Sequence, residues 1–399
     1  MSLILWLIAG IISTCGAMVM LEFGSAIPRS GGIKIYLERS FSPKLLQTCV
    51  YLFYCVFLQV SASNAYTFSS YLLLATGVDQ TTWKVRGVAT ASAVFAVGGH
   101  LRIDNPHNFD ISTSFQGTSS NGYNIGTALL NAIFAFQGYD NVNAVLSEVK
   151  DPKRTLQIAL PSAMAVITFA AVPKEDFISS KITIAASLFR NVFGDSAATK
   201  ALPALVAISA LGHLLGIAFT VPRVIQELAK DGVTPFPNTI MQNRPFKTPI
   251  FALALHLGVT ILFICAPPAG DAFNFIVSLS SYPTTFLLTA ITIGLVKLRL
   301  SNTERWNPTR PTPWFVIALY IAGNIFLLVM PFVRPPNGKG NTSLPYWLTS
   351  VVALGILSLG VIYYVLRFVL APRVFGYVLQ PTVVDLSDGS QVTRYKTIR

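Results

Sequence analysis

Apolar residues run in long charge-free stretches along this chain, separated by short polar and basic segments. Stretches near 3–24, 46–76, 123–146, 155–173, 202–221, 249–267, 272–296, 313–333 and 345–370 are each close to the ~20 residues with which a helix crosses roughly 30 Å of hydrocarbon. The pattern predicts an all-α polytopic membrane protein with about nine or ten transmembrane segments. One further apolar piece, Gly87 to Gly99, reaches only about 20 Å as a helix. It is expected to be a stub or re-entrant segment, or a pair of helices reduced to one.

Composition agrees with that class. Hydrophobic residues make up 52% of the 399 residues and charged residues only 12%. The net charge of +12 would fit a nucleic-acid binder if it were clustered. Instead Lys and Arg concentrate in loops 25–45 (Arg29, Lys34, Arg39, Lys44), 147–155, 222–248 and 297–312, and in the tail. That distribution is the positive-inside signal, so these loops and the C-terminus are expected in the cytoplasm. The four cysteines sit in apolar segments with no metal-ligand or disulfide spacing, and are expected to pack as small apolar residues. The chain divides into a transmembrane domain, 1–370, and a polar cytoplasmic tail, 371–399, expected to be disordered beyond Gln380.

Loop charge also exposes a conflict. Loops 77–83 and 100–122 must both lie outside, yet a single short piece, 87–99, separates them. A crossing between two outside loops is impossible, so a helix is reduced or missing there.

The most informative polar positions interrupt an apolar run. Residues 111–139 carry no charge, yet Phe134-Ala135-Phe136-Gln137-Gly138-Tyr139-Asp140-Asn141 places a glycine, amides and a carboxylate within a span. Such groups are costly in hydrocarbon unless they line a cavity or meet a substrate, and interrupted helices mark binding sites in secondary transporters. Free N–H groups beside Gly138 would receive a carboxylate and free carbonyls an amine. Phe134, Phe136 and Tyr139 would line the side-chain pocket, while Asp140 and Asn141 would steady the unwound stretch. The structural alternative is a packing glycine with Asp140 reaching towards the cytoplasm.

Several strings resemble the amino acid–polyamine–organocation superfamily, in its fungal L-type, methionine-permease-like branch. They are Leu21-Glu22-Phe23-Gly24 with Ile27-Pro28-Arg29-Ser30-Gly31-Gly32, Phe136 to Asn143 with Ser147 to Pro152, Ser209-Ala210-Leu211-Gly212, and Arg223 to Gly232. The resemblance implies two inverted five-helix repeats plus two trailing helices, with helices one and six broken at the substrate site. Aligned so, this chain begins at helix two, and the reduced crossing falls at helices four and five. The implied function is secondary transport of neutral L-amino acids, including methionine-like ones, by alternating access. The other reading is a truncated non-transporting relative: a nutrient sensor, a regulatory subunit or an incomplete gene product.

The resemblance further implies an inner gate in which Arg29 pairs with Glu148 or Asp151; a solvated basic loop is the alternative. Ser63 with Ser61 and Asn64, and Ser209 with Gly212 and His213, fall at mid-membrane, where they either line the site or pack helices together. His213 would be a proton relay if a proton is coupled to transport. Glu22, near the inner end of the first span, is expected to cap or pair at the interface. A single-span partner subunit is conceivable by analogy with L-type relatives, without an outer-loop cysteine to tether it. No phosphate-cradling loop, paired metal ligands or nucleophile–base arrangement appears, so neither an enzyme nor a cofactor is expected.

Overall fold

The computed structural model describes residues 2–27, 32–60, 62–91, 195–242, 249–266, 272–301, 306–335, 343–385 and 391–398. The spans expected at 123–146 and 155–173 lie outside these residues. Those described form helices α1 (Ser2–Ala26), α2 (Ile33–Ser40), α3 (Lys44–Phe57), α4 (Ala62–Thr76) and α5 (Thr82–Ala91). After the undescribed segment come α6 (Asp195–Lys230), α7 (Pro237–Ile240), α8 (Ile250–Cys265), α9 (Ala272–Leu300), α10 (Trp314–Val329), α11 (Leu348–Tyr364) and α12 (Ala371–Phe375). Six helical stretches among the described residues are long and apolar enough to cross a membrane, and α8 is a shorter apolar helix. The all-α polytopic expectation holds.

Among the described residues the interior is a main apolar cluster drawn from most helices, with Phe23, Leu37, Leu52, Leu58, Ile225, Leu228, Ile276 and Ile291 among its members, and a smaller one between α4 and α6 around Phe68, Tyr71 and Leu211. The outward faces carry Leu257 and Leu262 of α8, Phe315 and Leu319 of α10, and Leu359 and Ile362 of α11. A soluble protein would not leave such a band to water, whereas lipid covers it. Small residues permit close helix contact within the bundle. A Cβ added to Gly360 of α11 would stand 2.7 Å from Val50 Cα and 2.9 Å from the Cys49 carbonyl of α3.

Four boundaries differ from expectation. First, the basic loop 25–45 contains α2, which buries Ile33, Tyr36, Leu37 and Ser40, an i, i+3, i+4, i+7 stripe. Tyr36 stacks on Phe23 of α1 at 4.7 Å. Second, the stretch 46–76 is interrupted between Phe57 and Ala62. The amides of Leu58 and Gln59 both donate to the Tyr54 carbonyl, at 2.9 and 3.1 Å, closing α3 with a widened turn. Third, the helix expected at 202–221 continues through Pro222 to Lys230. Proline removes one helical hydrogen bond, but Ile225, Leu228 and Ala229 beyond it are completely buried, and that packing outweighs the loss.

Fourth, the tail is not disordered throughout. Strands β1 (Val378–Asp385) and β2 (Gln391–Ile398) pair antiparallel, Val378 opposite Ile398 and Asp385 opposite Gln391. β-Branched residues at Val383, Val384, Val392, Thr393 and Thr397 favour strands, and Asp388-Gly389 between them is a hairpin-turn signal.

Candidate functional site

Three side-chain clusters hold this frame. Glu22 of α1 is completely buried and receives four donors. Arg299 Nε at 2.8 Å and Trp306 Nε1 at 2.9 Å reach one carboxylate oxygen; the other meets Arg299 Nη2 and, at 2.7 Å, the Thr312 amide. Arg299 also donates to the Thr312 carbonyl at 2.8 Å and lies over the Trp314 ring at 5.0 Å. The pairing expected of Glu22 is thus found, and it ties α1 to the end of α9 and the start of α10.

Lys34 of α2 forms the second. It pairs with Asp231, just past α6, and with Glu38 at 3.5 Å. Burial works against the charge of Lys34, but Asp231 and Glu38 outweigh it and hold the ammonium above its ordinary pKa. The third lies on the other side of the same helix end. Arg367, just beyond α11, donates to the carbonyls of Thr234 at 3.0 Å and Gly232 at 3.3 Å, and the Tyr363 hydroxyl donates to Val233 at 2.7 Å. The last carbonyls of α6 are met locally, by the amides of Asp231, Gly232 and Val233 on Glu227, Ala229 and Leu228, and the guanidinium and phenol from another span hold the turn that follows the helix.

The expected substrate region is described in part. Phe134, Phe136, Gln137, Gly138, Tyr139, Asp140 and Asn141 lie outside the described residues, as do the gating pair Arg29 and Glu148. Ser63 of α4 is buried, and Ser209 of α6 is exposed. Their helices pack directly on one another. The side chains that meet between them are the neighbours of those two serines: His213 Nδ1 lies 3.0 Å from Asn64 Oδ1. An amide oxygen only accepts, so Nδ1 carries the hydrogen and Nε2 of neutral His213 is left as an acceptor. His213 is one helical turn beyond Ser209, hence on the same face. Sequence reasoning singled out Asn64 and His213 separately and did not foresee the pair, because residues 149 apart meet only once the helices are placed.

A second polar group surrounds the interruption at 58–60, which the pattern of apolar residues did not reveal. Gln59 Nε2 donates to the Tyr54 hydroxyl at 3.0 Å, and that hydroxyl lies 2.9 Å from Thr284 Oγ1 on α9. Next to Thr284 is Pro283, inside the helix.

Comparison with known proteins gives this frame a family. A profile of the amino acid permease family matches residues 1–103 and 89–357. The two matched pieces overlap at 89–103, the stretch in which the loop charges led to the expectation of a re-entrant, stub or reduced crossing. The chain is 36% identical to the high-affinity methionine permease of Saccharomyces cerevisiae, over 98% of this chain and 76% of that protein. That alignment spans 441 positions, more than the 399 residues of this chain, so gaps open within it. The low-affinity methionine permease of the same yeast is 29% identical over 98% of this chain and 80% of its own length. The mouse b(0,+)-type amino acid transporter 1 is 25% identical over 84% and 76%. With lipid-facing helices, polar groups between spans and a family match along most of its length, the chain belongs to the amino acid permease family, integral membrane proteins that transport amino acids and are not enzymes.

Proposed function

We propose that this protein moves neutral L-amino acids with methionine-like side chains across the plasma membrane, as a secondary transporter working by alternating access. The observation that carries the proposal is its 36% identity to a high-affinity methionine permease over 98% of the chain. Substrate binds at the interruption formed by Phe134, Phe136, Gln137, Gly138, Tyr139, Asp140 and Asn141, flanked by Ser63 of α4 and Ser209 of α6. Backbone N–H groups beside Gly138 take the carboxylate and free carbonyls take the ammonium. Aromatic rings at 134, 136 and 139 enclose a thioether or branched side chain. Arg29 and Glu148 close the cytoplasmic side, the tail from residue 371 faces the cytoplasm, and a proton is the coupling ion. The packing of α4 on α6 and the Asn64–His213 contact support this reading, since they bring two of the three proposed walls together.

A second reading, a non-transporting relative, is favoured by the family match in two overlapping pieces at 89–103. Uptake of labelled methionine and leucine in a cell lacking its own permeases separates the two. The expected result is saturable methionine uptake, abolished by Gly138→Val with the protein still in the membrane. Unchanged uptake in Gly138→Val would refute the site. The second reading prevails if this chain transports nothing while the yeast high-affinity methionine permease, expressed in the same cell, does.

A further inference from the structure

Two helix irregularities face each other inside the bundle. One is the interruption between α3 and α4. The other is at Pro283 of α9, which has no N–H and so leaves the carbonyl of the completely buried Leu279 without its helical donor. A single run of hydrogen bonds joins them. Thr284 Oγ1 donates to the Ser280 carbonyl at 2.7 Å, which uses its one hydrogen. At the 2.9 Å contact between Tyr54 and Thr284, the tyrosine must therefore be the donor. Tyr54 in turn accepts from Gln59 at 3.0 Å. The direction is thus set along the whole run: Gln59 amide to Tyr54 hydroxyl, to Thr284 hydroxyl, to Ser280 carbonyl. Tyr54 and Thr284 are both buried, at 1% and 7% exposure, where losing one member leaves its neighbours unsatisfied.

We infer that Tyr54 is a positioning residue for transport: its hydroxyl holds the α3–α4 interruption against the Pro283 irregularity of α9, and so sets where α4 presents Ser63 and Asn64. The residues it joins are far apart in sequence, 230 positions between Tyr54 and Thr284. No other side-chain hydrogen bond between α3 and α9 is present among the described residues. α4 begins three residues after Gln59, which is anchored on Tyr54 through both its backbone amide and its side chain, so movement of the interruption is transmitted directly to Ser63 and Asn64. In its functional consequence this inference rests on the transport reading above.

Tyr54→Phe tests it, since the ring and its packing remain and only the hydroxyl is lost. In methionine uptake the expected result is a KM raised roughly three- to tenfold, the range one buried hydrogen bond sustains, at unchanged surface abundance. Thr284→Val should match it, Thr284→Ser should restore wild-type KM, and the Tyr54→Phe/Thr284→Val double variant should be no worse than either. Hydrogen–deuterium exchange of the purified protein reads the positional claim without transport. Exchange over 58–64 and over 279–284 should accelerate together in Tyr54→Phe. Absence of wild-type uptake would count against the transport reading alone. Exchange unchanged in both segments, or accelerated in only one, would overturn the positioning role, as would a double variant whose KM effects simply multiply.

Discussion

Arg299→Ala puts the most heavily bonded group of the frame under test. Glu22 is 0% exposed, so its charge is stabilised by its four donors and not by water. Removing Arg299 deletes two of them and leaves the Trp306 and Thr312 N–H groups. Stranding one partner of a buried ion pair costs ~3–5 kcal/mol; with two donors left on the carboxylate, ~3 kcal/mol is the appropriate figure. At a few degrees per kcal/mol, detergent-solubilised protein should lose at least about 5 °C of thermal midpoint, read by size-exclusion profiles after heating. Glu22→Leu should be comparably damaging, because it removes the shared acceptor of Arg299, Trp306 and Thr312 at once. The informative variant is Glu22→Leu/Arg299→Leu, since an apolar pair of similar volume often replaces a buried ion pair at little cost. It should recover at least ~2 kcal/mol against the sum of the single variants. A coupling below ~0.5 kcal/mol would refute the argument that the two groups stabilise each other, and would leave Glu22 held by Trp306 and Thr312.

Two further outcomes follow from the frame. The folded-state pKa of Lys34 is raised, so its stabilising contribution is fully present below the unfolded lysine value of ~10.4 and fades only as pH climbs through the higher folded value. The stability gap between wild type and Lys34→Met should therefore stay constant from about pH 6 to pH 9; a gap that closes across that window would contradict the Asp231 pairing. Gly360→Ala would place a Cβ 2.7 Å from Val50 Cα, and backbone cannot yield as a flexible side chain can. A cost of ~1–3 kcal/mol is expected, seen as reduced folded yield, and wild-type yield would mean α3 and α11 separate freely.

The membrane class and most spans were legible because hydrocarbon demands long uncharged helices, and such runs survive whatever the helices touch. The α2 stripe at Ile33, Tyr36, Leu37 and Ser40 was also written in the sequence, but basic neighbours disguised it as a loop. The end expected at 221 erred in the same way: the basic stretch beyond it was read as a loop, while the helix continues through Pro222 on the burial of Ile225, Leu228 and Ala229, which no local pattern discloses. The interruption at 58–60 carries neither glycine nor proline and is stabilised by Gln59, Tyr54 and Thr284, so it depends on a helix distant in sequence. For the substrate site, Asn64 and His213 were visible as polar residues at membrane depth, while their partnership required the packing of α4 on α6. The tail hairpin was missed because composition was weighed above the strand propensity of its valines and threonines.

The grip of Arg367 and Tyr363 on the carbonyls of residues 232–234 changes the standing of the last long span. That span would otherwise be a peripheral addition, dispensable to a core completed earlier in the chain. Here it fastens the turn that follows α6, the helix that carries Ser209 and His213. A chain ending before Tyr363 would strand those carbonyls and free the turn behind α6, so cutting the protein back from its C-terminus would loosen that helix end from a distance.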